Sequence, residues 1–255
     1  MVTGEEMKKS FFLIVFAFAV LLAHPAQAYY TVSFGDTAIY FPGWGNGTDD
    51  DSRDVIGLPD ILGGKLIYDD NYHLVSIQFS FIVTQEQNLW SRLTPGDLFI
   101  DLGADQTWDY TVGTFGATDW NNVAVNGVSV PLAGPGYVMS GADGLWNGYN
   151  IRDDHPIAVE GGIPYSSASF SGWPPGVPED VVWVTYLFDP EFSIDIRNGL
   201  IVGWTLNCAN DVLYEKIDIP LIYIPEPATL ILLGIGVLFI VLLIKRRKNG
   251  PSKKG

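Results

Sequence analysis

The chain has 255 residues, 47% hydrophobic and 13% aromatic, with 29 Asp and Glu against 14 Lys and Arg, a formal net charge of −15 and one cysteine. A single cysteine excludes an internal disulfide framework, and so many aromatic and β-branched residues exclude a disordered polyanion. Between Tyr29 and Ile224 only Arg53, Lys65, Arg92, Arg152, Arg197 and Lys216 are basic against 26 acidic residues, leaving that segment near −20; nucleic acid is excluded as a partner, because Lys and Arg supply the affinity for phosphate.

In chain order, the first element is an export signal. Met7-Lys8-Lys9 supplies positive charge, Phe11 to Ala23 an apolar run of 13 residues, and Ala26-Gln27-Ala28 a small-residue cleavage site. These are the parts of a secretory signal peptide over residues 1–28, to be cut by signal peptidase after Ala28. As a helix the apolar run reaches about 20 Å, short of the roughly 30 Å hydrocarbon layer, and Pro25 stops its continuation. Glu5 and Glu6 oppose the charge such leaders carry, which makes Met7 an alternative start to Met1.

Residues 29–224 make one domain, large enough to bury a core without staples. Strand patterns dominate it. Ile77, Phe79, Phe81 and Val83 alternate with Ser76, Gln78, Ser80 and Ile82, and the same rhythm recurs at Trp108, Tyr110 and Val112, at Val182, Val184, Tyr186 and Phe188, and at Val202, Trp204, Leu206 and Cys208. Asn126-Gly127, flanked by Val123, Val125, Val128 and Val130, predicts a two-residue hairpin turn. Gly/Pro/Asn clusters such as Pro42-Gly43, Pro95-Gly96, Gly134-Pro135-Gly136 and Pro174-Pro175-Gly176 punctuate the runs. With no helix pattern between the two ends, the expected fold is all-β, an antiparallel β-sandwich of jelly-roll type; a barrel or irregular β fold is the alternative.

Two compositional surpluses carry the chemistry of this segment. Of its 26 acids, 21 are Asp, gathered where turns are expected. Short carboxylates in turns are what Ca²⁺ sites use, since the ion takes six to eight closely spaced oxygens. Candidate ligands are the series Asp101, Asp105 and Asp109 and the pair Asn210 and Asp211; Asp49-Asp50-Asp51 with Asp54, and Asp143, are further clusters. None has the EF-hand spacing, and all serve equally as capped turns. Ca²⁺ is the only cofactor the pattern admits.

All eight Trp fall in the same segment. Trp183 and Trp204 sit on patterned strands and read as core, whereas Trp44, Trp120, Trp146 and Trp173 have Gly/Asn-rich neighbours. An indole beside amides and carboxylates can hold a sugar, the ring face packing on C–H groups while polar neighbours bond hydroxyls; the same rings can instead cap the core beneath loops. Cys208 reads as a small hydrophobe. His73 and His155 form no zinc spacing, and no Gly-x-Ser-x-Gly or His-Glu-x-x-His motif occurs. An enzyme is the alternative reading, a secreted glycosidase or lyase with paired carboxylates, although the abundance of acids selects no pair.

The last element begins at Pro225-Glu226-Pro227. Each proline removes a backbone donor and holds the residue before it extended. Ala228 to Ile244 follows, 17 uncharged residues spanning about 26 Å as a helix, at the lower limit for a bilayer. Lys245, Arg246, Arg247 and Lys248 then stop it abruptly, which keeps the tail 245–255 cytoplasmic and places the acidic segment on the exported side of a single-pass precursor.

A Pro-Glu-Pro motif, one apolar span, a basic tail and a signal peptide at the far end together resemble the PEP-CTERM sorting signal, over residues 225–255. The resemblance implies recognition of Pro225, Glu226 and Pro227 by an exosortase, a membrane cysteine protease-transpeptidase of Gram-negative bacteria that make extracellular polysaccharide. It further implies loss of the C-terminal anchor and delivery to the cell surface or biofilm matrix. The stretch Asn207-Cys208-Ala209-Asn210-Asp211-Val212 is similar to a Cys-x-Asn-Asp element near the end of many β-rich ectodomains of such proteins, and implies a compact body ending there. The expectation for function is an exported structural or carbohydrate-binding module associated with exopolysaccharide.

Overall fold

Apolar residues at every second position draw a chain into strands with one face in the core. The computed structural model of the chain is built on that rule. It describes residues 27–37, 59–82, 94–131, 137–139, 156–172, 181–191, 193–207, 211–221 and 233–240. Two units are distinguished, Tyr29–Leu221, and Met1–Ala28 with Ile222–Gly255. The first holds the strands β1 Tyr29–Phe34, β2 Asp60–Asp69, β3 Leu74–Ile82, β4 Leu98–Leu102, β5 Thr107–Val112, β6 Val123–Pro131, β7 Tyr137–Met139, β8 Pro156–Val159, β9 Ile163–Ser171, β10 Val181–Phe188, β11 Leu200–Thr205 and β12 Val212–Ile217.

Ten of these form one sheet in the order β1-β2-β3-β10-β9-β6-β5-β4-β11-β12, and β7 pairs with β8 apart from it. Every pairing is antiparallel. The sheet curls until β12 lies beside β1 and β2. There Thr37 Oγ1 donates to Glu215 Oε2 of β12 at 2.7 Å, and the Ile61 amide of β2 donates to the carboxylate of Asp211 at the head of β12. The all-β antiparallel architecture is therefore as expected, but the strands belong to one nearly closed, barrel-like sheet rather than to the two sheets of a jelly-roll sandwich. The reason lies in the long connections: β10 returns to pair with β3, and β11 with β4, so hydrogen bonding runs unbroken from β1 to β12.

Side chains from strands distant in this order meet inside. Phe79 of β3 stacks on Trp204 of β11 with ring centroids 4.9 Å apart and planes within 3°, and Tyr186 of β10 meets both Phe79 and Phe170 of β9. Each such side chain, fully removed from water, contributes roughly 1.5–3 kcal/mol. The outer face of β4 and β11 is covered too, by a second cluster of Phe99, Trp108, Ile157, Ile201 and Val212, with Tyr137 and Val159 from the β7–β8 pair packed on it. β11 is consequently buried along its whole length.

The patterned runs become β3, β5, β10 and β11, and along β10 the residues Val182, Val184, Tyr186 and Phe188 point inward as the alternation requires. Trp183 is a correction. Its odd position between inward valines turns it outward, where it is 44% exposed with the Lys65 ammonium 5.1 Å over its ring. Trp204 is core as expected. The Asn126-Gly127 hairpin is a second correction, because both residues stay within β6 and lack the positive φ that a two-residue turn demands. Partners on both sides, Tyr110 and Thr111 of β5 and Ile163 and Pro164 of β9, hold them extended.

At Gly64 of β2 a Cβ would fall 1.9 Å from the Gln78 carbonyl oxygen and 2.8 Å from the Phe34 ring, whereas at Gly127 the nearest atom would be the Ile163 oxygen at 3.7 Å. Gly64→Ala is expected to cost about 3 kcal/mol or more and Gly127→Ala less than about 1 kcal/mol. Denaturant unfolding of the two variants side by side checks the close approach of β1, β2 and β3; equal losses would contradict it.

Candidate functional site

Inside the sheet the polar groups form a relay. Trp204 Nε1–H donates to the Tyr186 hydroxyl at 2.8 Å, that hydroxyl lies 3.0 Å from Thr114 Oγ1, and the Thr114 hydroxyl donates to the Gly96 carbonyl. Burial raises the Tyr186 phenol far above its ordinary value and keeps it a neutral donor. Next to this relay Asp97 is buried, its Oδ1 accepting the Phe115 amide at 2.9 Å and its Oδ2 the Val159 amide at 3.2 Å. Burial pushes this carboxyl up to about 7, against the lowering pull of the Phe115, Val159 and Thr114 amides. Asp97 thus joins the head of β4, the segment after β5 and the end of β8. The role is structural.

The series Asp101, Asp105 and Asp109 does come together, in the turn between β4 and β5. Asp101 is buried and accepts the Asp105 amide at 3.3 Å and the Gln106 amide at 3.1 Å. Asp105 accepts the Thr107 amide at 3.0 Å, and Asp109 accepts the Leu102 amide at 2.6 Å. These bonds support a turn in which Gly103, Ala104 and Gln106 all have positive φ. Burial raises Asp101, its amide donors oppose the rise, and Asp105 and Asp109 add to it. Burial raises Asp109 as well. Among the described residues no group of three or more His, Cys, Asp or Glu side chains is placed to hold a metal ion. Asp211 accepts the Ile61 amide, and its partner Asn210 lies outside the described residues.

Trp120 is half-buried, its ring edge-on to Phe170 at 5.2 Å and its carbonyl accepting the Phe170 amide at 2.7 Å. Trp44, Trp146 and Trp173, the clusters at Asp49–Asp54 and Asp143, Cys208 and His155 lie outside the described residues. So do the signal sequence through residue 26, Pro225, Glu226 and Pro227, and Lys245, Arg246, Arg247 and Lys248. Of the apolar run 228–244, residues 233–240 are described: they form a helix, α1, with its large side chains exposed. Among the described residues no helix is long and apolar enough to cross a membrane.

A groove of about 640 Å³ lies over β5, β6 and β9, within the range of small-ligand sites. Two bulges shape it. Between the pairs Trp108–Val130 and Tyr110–Gly127, Asp109 faces both Val128 and Ser129; between Val125–Ser166 and Asn126–Pro164, Tyr165 is the extra residue. A bulge bends its strand and re-aims the side chain, and Tyr165 is accordingly 51% exposed on an outer face. It meets Tyr110 edge-on, centroids 5.1 Å apart at 63°. Burial, with Tyr165 and Asp109 beside it, pushes the Tyr110 phenol up to about 12. Ile163, 77% exposed, and Glu160 complete the wall, and Gly127 and Gly162 leave the surface without side-chain bulk. Reading tryptophans alone misses this groove. The legible sign was Ile163-Pro164-Tyr165 beside the Gly161-Gly162 pair, apolar residues two apart at a strand start.

Fold and groove define an acidic, barrel-like β domain with an aromatic surface groove. What is done with that domain is written in the tail: residues 224–248 match the family model of the PEP-CTERM protein-sorting motif. The match takes in Pro225-Glu226-Pro227, the apolar run and Lys245 to Lys248. The chain carries the motif, which implies processing by an exosortase, export and sorting to the cell surface. No curated protein and no solved structure matches the chain.

Because the buried Asp97 carboxyl titrates near 7 in the fold and near 3.8 when exposed, the folded state binds more protons than the unfolded state between those values. Its contribution to stability therefore falls as pH rises from about 4 to about 7. Melting temperatures of the wild type and Asp97→Asn across this range check the sign: the wild type should lose stability relative to the variant as pH rises, and parallel curves would contradict the assignment.

Proposed function

We propose that the chain is the precursor of an exported surface or extracellular-matrix protein of a Gram-negative bacterium. Signal peptidase removes residues 1–28, and residues 228–244 hold the precursor in the inner membrane as a transient single span with the tail 245–255 in the cytoplasm. An exosortase acts at Pro225-Glu226-Pro227, and the body 29–224 passes to the exopolysaccharide, where it serves as a structural or carbohydrate-binding module of the biofilm matrix. The observation that carries the reading is the sorting motif at 224–248. The exposed apolar side chains of α1 support the membrane step, since water disfavours such a surface and lipid accepts it. The groove at Tyr110 and Tyr165 supports the carbohydrate step, an aromatic platform beside carboxylates being a setting that sugars fit.

One observation favours the enzymatic alternative, a glycosidase or lyase: Asp109 and Glu160 line the same groove, and Asp109 is raised by burial. Against it, Asp109 already bonds the Leu102 amide. New reducing ends or unsaturated sugar products from the producer's polysaccharide would support it.

Fractionation of cells that possess an exosortase tests the main reading. The wild type should reach the outer surface and matrix and be released by digestion of the polysaccharide. A chain with Pro225, Glu226 and Pro227 all changed to Ala should remain in the inner-membrane fraction. Identical fractionation of the two would overturn the proposal.

A further inference from the structure

The groove over β5, β6 and β9 has features that select among glycans. Its carboxylates are Asp109 and Glu160, and no Lys, Arg or His lines it among the described residues. The whole chain carries −15. A polymer of uronic acids would meet repulsion at this surface, while an ammonium group would find carboxylates and aromatic faces together. Tyr165 stands out of the sheet at its bulge, edge-on to Tyr110 and half exposed, so that its solvent-facing ring surface can pack against the C–H face of a pyranose. Glu160 is exposed on the adjoining rim and Ser129 offers a hydroxyl on the opposite strand. The volume, about 640 Å³, suits a few sugar rings rather than a single small ion.

We infer that this groove binds a polysaccharide whose sugars carry free amino groups, with Tyr165 as the stacking platform and Glu160 as the ammonium partner. The inference rests on the matrix-module reading and names its ligand class. Tyr110 positions Tyr165, and Asp109 adds negative charge from the floor while its second oxygen holds the turn between β4 and β5.

The experiment is calorimetric titration of the full chain, held in detergent micelles, with hexamers of glucosamine, N-acetylglucosamine and galacturonic acid. The glucosamine hexamer should bind about tenfold more tightly than its acetylated counterpart at low salt, with the preference shrinking as salt is added. The galacturonate hexamer should not bind. Tyr165→Ala, at an exposed site, should keep the wild-type melting temperature and lose about tenfold in affinity for both amino-sugar oligomers. Glu160→Gln should remove the preference for the free amine and leave the acetylated oligomer unaffected. Binding of any oligomer at wild-type strength by Tyr165→Ala, or tighter binding of galacturonate, overturns the groove assignment while leaving the module reading in place. No binding of any oligomer, together with no retention of the wild type on the producer's own polysaccharide, overturns both.

Discussion

The stack of Phe79 on Trp204, 4.9 Å between centroids and nearly coplanar, joins β3 to β11 across the interior of a single sheet. A sheet of ten strands has two edges with unpaired backbone groups and two faces, and it becomes stable in water only if curling hides an apolar face and manages the edges. The aromatic contact lies across the curl and holds its two sides together. The relay from Trp204 through Tyr186 and Thr114 to Gly96 then satisfies the polar atoms that the same curl buries. β12 lies beside β1 and β2, and among the described residues the side chains of Glu215 and Asp211 bridge the seam.

From that closure the outer surface follows. Acidic residues cannot enter the core without a partner, so they collect in turns and at strand heads, and there they take backbone amides: Asp97, Asp101, Asp109 and Asp211 each hold a turn or seam in place. Much of the Asp surplus in the described residues is thus spent on geometry. Bulges in β6 and β9 bend the strands on the curl's path, and one of them turns Tyr165 outward over a surface left open by Gly127.

The C-terminal end was the most legible part, because a sorting motif is a linear order of short pieces whose physics is local: two prolines, an apolar length, a basic stop. Strands β3, β5, β10 and β11 were legible for a related reason, since alternation records which face meets the core. What sequence could not supply was the order of strands, and with it the choice between a sandwich and one curled sheet, which depends on which distant strands meet. Asn126-Gly127 shows the limit. Its local preference is a tight turn, yet neighbours on both sides keep it extended. Trp183 shows the same limit, being aromatic on a patterned strand but one position out of phase with the buried valines. Tyr165 was overlooked because its exposure comes from a register shift, and register is set by partners.

In the proposed precursor the C-terminal segment is a removable tether and the acidic β domain is its cargo. Intact-mass spectrometry of the protein recovered from the surface of producing cells tests it most directly. A species that begins at Tyr29 and lacks the apolar run and the basic tail is expected. A recovered chain of full C-terminal length, embedded in the inner membrane with its β domain in the cytosol, would contradict it.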